Sequence, residues 1–160
     1  MQLLKETSDA LINVLHLLDD DDYTQHLLIL EQQTIGQQVR HVIEHWQILE
    51  DNYANDTINY ANRKRNKNIE TNKSFAIELL IQLQQRPKQE NKKLSITSLD
   101  EKEIFTSSYY RELDNVTEHL IHHAAIIKMA ILTLNNNVKL PVDFGCAPST
   151  ISYKQQQCVQ

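Results

Sequence analysis

Only two glycines, Gly36 and Gly145, stand in 160 residues. Average usage would supply about ten. Phosphate-cradling loops and dinucleotide fingerprints each need several glycines within a few residues, so P-loop and Rossmann chemistries are excluded. With three prolines as well, turns must be few. A barrel or sandwich needs more turn residues than this, and the composition predicts long helices with few connections.

Hydrophobic spacing places them. Leu4, Leu11, Val14, Leu15 and Leu18 share one stripe of a first helix over about 2–18,. The acidic run Asp19 to Asp22 is expected to be a solvated turn that ends it,. A second helix starts at Thr34 as N-cap and runs to about Tyr53, with Ile35, Val39, Val42, Ile43, Trp46 and Leu49 on its apolar side,. Residues 54–70 read as a polar connection carrying the basic stretch Arg63 to Lys67,. A third helix covers about 71–86 and stops at Pro87,. Between Lys92 and Thr106 the pattern allows a small hairpin. The fourth helix, about Ser107 to Leu134, would span roughly 40 Å. Asn135 to Asn137 and Pro141 end it, and the tail from Asp143 is expected to be ordered coil against the bundle. The expected fold class is all-α: a single four-helix-bundle domain over 1–160, with a short hairpin before the last long helix.

Charge and cysteine usage bound the partners. Sixteen basic side chains face 21 acidic ones, so phosphate-backbone binding is not expected. Cys146 and Cys158 match no disulfide framework or common zinc spacing,. The first apolar run is broken by Lys5, Glu6, Asp9 and Asn13, and no window approaches a membrane span,. A cytoplasmic protein with no nucleic-acid or membrane partner is the expectation.

Seven histidines carry the functional signal. His16 and His26 stand alone. His41 and His45 lie on the second helix; His119, His122 and His123 lie on the fourth. Residues four apart on a helix differ by only ~40° around the axis. His119 and His123 flank the stripe Val116, Leu120 and Ile127 and so point inward, while His122 lies ~60° from His119 toward the rim. Two interior imidazoles in an apolar wall need partners, and one divalent cation satisfies both. A third ligand from His41 or His45 would leave positions open for water or substrate. Periodicity places His45 nearer the core than His41. The run His41-Val42-Ile43-Glu44-His45 also reads as the inverted zinc-protease pattern, with Glu44 as general base. That pattern belongs to much larger mixed α/β proteins.

The stretch Gly36 to His45, G-x-x-x-R-H-x-x-E-H, together with Arg111-Glu112-Leu113 and His119-x-x-His122-His123, resembles the DinB-like (YfiT-type) superfamily. Asn59-Tyr60, Arg63, Arg65, Ile69-Glu70 and Phe144 to Thr150 resemble uncharacterised bacterial members of it. The resemblance runs from the first helix to about Tyr153. It implies a four-helix bundle, often a homodimer, with a divalent metal (zinc, nickel or similar) held by His41, His119 and His123, and His45 and His122 as alternates. Characterised relatives include metal-dependent transferases that use a low-molecular-weight thiol. The implied function is a thiol transferase-like or hydrolase-like enzyme whose ion lowers the pKa of a thiol or water. Its partners would be a small-molecule thiol or electrophile. Glu44 or Glu118 is expected to orient ligand imidazoles, and Arg63 and Arg65 to grip a carboxylate. Gln38 departs from the pattern, because close relatives should carry histidine there. The alternative is a non-catalytic metal-binding or dimerising bundle.

Overall fold

The computed structural model describes residues 2–134 and 137–157. Asn135, Asn136 and Cys158 lie outside the described residues. The chain is mostly helical. Four long helices carry the core: α1 (Gln2–Leu17), α3 (Ile35–Asn52), α5 (Lys73–Gln85) and α6 (Tyr109–Thr133). They close a ring in which α6 packs on α3 and α1, and α5 packs on the same two. Shorter helices are α2 (Asp20–Thr24), α4 (Lys67–Thr71) and α7 (Pro148–Gln157). No helix of the described residues is long and apolar enough to cross a membrane.

Caps explain the helix ends. Thr34 caps α3 in a full capping box: Gln37 N–H donates to Thr34 Oγ1 at 3.0 Å, and Thr34 N–H donates to Gln37 Oε1 at 3.1 Å,. Asn72 accepts from Phe75 N–H to start α5, and Arg86, held extended before Pro87, ends it,. The side chain of Ser108 caps α6.

The chain is not all-α. Strands β1 (Thr57–Ile58), β2 (Lys93–Thr97) and β3 (Ile104–Ser108) form one small sheet in that order. The hairpin β2–β3 pairs Lys93 with Ser108 and Thr97 with Ile104. β1 adds in parallel, with Ile58 opposite Ile96. The 54–70 stretch, read from sequence as a connection, therefore contains β1 and α4. Only Ile58, Tyr60 and Ile69 anchor it in the core, too few apolar residues to set a period. The acidic run is not a turn but the start of α2. Asp19 accepts from Asp22 N–H at 2.7 Å, and the carboxylates of the first turn face the positive end of the helix dipole. The tail is not all coil either. Pro148 opens α7 at the first helical position, where its missing N–H costs nothing,.

Both glycines sit where backbone approaches backbone. A Cβ on Gly36 would overlap the carbonyl oxygen of Glu70, and one on Gly145 (φ 70°) would lie 2.7 Å from Ala125 Cα. Gly36 thus lets α4 press against the first turn of α3. Gly145 seats the tail on α6, beside buried Phe144.

Candidate metal centre

α3 and α6 lie side by side, and their facing surfaces bring imidazoles together. A ring nitrogen from each of His41, His119 and His123 lies within 4.8 Å of the other two. The ring centres form a near-regular triangle of 4.7, 4.6 and 4.5 Å. His123 is buried; His41 and His119 are half-buried.

The donor chemistry fits a divalent cation. Gln38 Oε1 lies 2.8 Å from His123 Nδ1, and Gln38 Nε2 donates to Gln33 Oε1 at 2.7 Å. This chain fixes the amide, so His123 Nδ1 carries the proton and Nε2 keeps its lone pair. His119 Nε2 is buried with no hydrogen-bond partner. Burial, with His122 and Arg63 nearby, pushes His119 down to about 4. Burial also pushes His123 to about 3, helped by His119, His122, His45 and Arg63. Neutral imidazoles with unused lone pairs are what a metal ion requires of its ligands.

The other predicted residues are placed differently. His45 is buried, and its ring stacks on His119 at 4.1 Å and on Tyr60 at 4.0 Å. Its centre stands 6.4 Å from His41, and burial then His119 push it to about 3. It stands against His119, outside the triangle, and its Nε2 has no partner. His122 is exposed and meets His123 edge to face at 5.3 Å. Neither glutamate orients a ring of the triangle. Glu44 is buried, accepts from Asn66 N–H at 2.6 Å and lies 4.0 Å from Arg40 Nε. Three residues beyond His41, it is turned ~60° away, toward α4. Glu118 is exposed, 3.9 Å from Arg111. The protease pattern requires Glu44 as a free base; here its Oε1 accepts from Asn66 N–H, and its buried Oε2 has no hydrogen-bond partner and lies beside Arg40.

The sequence reading named Gln38, Tyr60 and Glu112 but not the parts they play. Gln38 does not leave a gap where a histidine is expected; it holds His123. Tyr60 donates through its hydroxyl to buried Glu112 at 2.8 Å, and Ser107 Oγ donates to the same carboxylate at 2.5 Å. Glu112 anchors Tyr60, Tyr60 backs His45, and His45 backs His119. Glu112 was visible as an acidic residue inside the apolar stripe Tyr109, Leu113, Val116 of α6.

The triangle opens on two recesses. A cleft of about 820 Å³ lies between it and the sheet, and one of about 530 Å³ lies over Gln38 and His123. His41, Arg63 and Arg65 line both.

No family model matches the chain, and no solved structure matches it. FK506-binding protein 5 of Rhizopus delemar is 34% identical over 111 residues, covering 62% of this chain and 28% of that protein. The chain thus spans under a third of that relative's length.

Proposed function

We propose that this protein is a divalent-metal-dependent enzyme of the DinB-like kind, built on that superfamily's four-helix bundle. His41, His119 and His123 hold zinc, nickel or a similar ion. The observation that carries the reading is the convergence of three imidazoles from two helices beside an open cleft. When bound, the ion supplies Lewis acidity that makes a thiol or water nucleophilic near neutral pH. The chain's own residues do the rest. Gln38 fixes the proton of His123, the stacked rings of Tyr60 and His45 hold His119 in place, and the hairpin walls the cleft. The cleft also separates this reading from a purely structural site, in which protein ligands enclose the ion. The relative named above shares too little of its length to bring FK506 binding here.

Zinc and nickel titration against a chromophoric chelator tests the site. Single alanine changes at 41, 119 and 123 should each weaken binding by at least about tenfold, and His122→Ala should not. Turnover is read with glutathione, cysteine or coenzyme A against an electrophile panel. Equal metal affinity in the wild type and the three alanine variants would sink the proposal. Tight binding without any turnover would reduce it to the non-catalytic alternative.

A further inference from the structure

Of the five arginines, Arg40, Arg86 and Arg111 pair with carboxylates. Arg63 and Arg65 pair with none among the described residues, although the chain has acidic groups in excess. Nearby carboxylates are already engaged: Glu70 by Arg40, Glu44 by Asn66 and Arg40, and Glu112 by Tyr60 and Ser107. Arg63 is half-buried all the same, and its charge is felt at His119 and His123. A guanidinium drawn out of water without a counter-charge is costly unless an anion joins it. The guanidinium fork is the side-chain geometry that takes one carboxylate or phosphate through two hydrogen bonds.

The opposite wall has the complementary character. Ile96, Leu99 and Phe105 of the hairpin face the cleft, and Leu99 is 84% and Phe105 51% exposed. Large apolar side chains left in water at the mouth of a cleft offer burial to a ligand's carbon skeleton. The volume, about 820 Å³, is that of a small-molecule site.

We propose that this cleft binds a small organic anion with an apolar body, the acid group held by Arg63 and Arg65 and the body laid against Ile96, Leu99 and Phe105. The proposal deepens the metal-enzyme reading by naming the class of substrate, since His41 and His119 of the triad line the same cleft. It is nevertheless testable without metal.

Calorimetric titration of chelator-treated protein uses 3-phenylpropionate as probe, with phenyl phosphate, acetate and 3-phenylpropionamide beside it. Binding of 3-phenylpropionate or phenyl phosphate is expected, and the tighter of the two identifies the acid group. Acetate, lacking the body, and the amide, lacking the charge, should bind at least about tenfold more weakly. The double variant Arg63→Gln/Arg65→Gln should lose about tenfold or more, and Phe105→Ser should weaken both aromatic acids. If the double variant does not fold, salt decides. Raising it from about 0.05 to 0.5 M should weaken the acid in the wild type and leave the amide unchanged. Absence of binding by both aromatic acids, an amide as good as its acid, or a double variant as good as the wild type would overturn the proposal. Zinc affinity is measured separately on the same variants, and removing the positive charge felt at His119 and His123 should not weaken it,. Loss of zinc binding alone in the wild type condemns the metal reading and leaves the anion site standing.

Discussion

Single atoms decide how the histidine triangle is held. Gln38 Oε1 fixes which nitrogen of His123 bears hydrogen, so Gln38→Leu should lower zinc affinity by about tenfold to a hundredfold while the fold survives, as seen by circular dichroism. Acid stability follows from the same buried rings. His45, His119 and His123 sit at about 3, 4 and 3, below the ~6.5 of an unfolded chain. Below ~6.5 the unfolded chain takes up protons that the folded one refuses, so their stabilisation is complete above that pH and fades toward about 3,. Melting of chelator-treated protein should therefore start to fall as the pH drops through about 6.5. A melting temperature flat from about pH 7.5 to 5 would contradict neutral burial. Sequence pattern brought the histidines to notice because a four-residue spacing is periodic. Periodicity pointed to His45 and the resemblance to His41, because α3 is buried on two flanks and both rings lie near α6.

At the level of elements, the long helices and the β2–β3 hairpin were legible and the other short pieces were not. Thr34 as N-cap announces α3, and an unbroken apolar stripe announces α6. β1, α2 and α4 are held by contacts that come from elsewhere in the chain, β1 on β2 and both short helices on α3. Tyr23 of α2 reaches the carbonyl of Ile69 at 2.8 Å, a contact no local window reveals. The same long-range logic governs the segment that carries the arginines. Replacing Gly36 with alanine drives a methyl group into the Glu70 carbonyl, and a loss of roughly 3 kcal/mol in urea unfolding is expected. Tyr60→Phe removes one donor from buried Glu112 and should cost about 1–2 kcal/mol. It should also weaken zinc binding, because the ring stack behind His119 loses its anchor. A stability loss with zinc affinity unchanged would show that Tyr60 acts on the fold alone.

For the molecule as a whole, the metal proposal predicts mass-action stabilisation. Zinc at about a hundred times its dissociation constant should raise stability by about 2.7 kcal/mol, read as an upward shift in melting temperature. Chelator should reverse it, and no shift should appear in the His119→Ala/His123→Ala variant.

Because His41 belongs to one half of the chain and His119 with His123 to the other, an ion at the seam would be a rivet between them. A polypeptide severed in the exposed stretch between Arg86 and Asn91 should then hold together as two pieces in zinc and come apart when zinc is withdrawn. The protein would serve as a split reporter whose reassembly is set by trace metal.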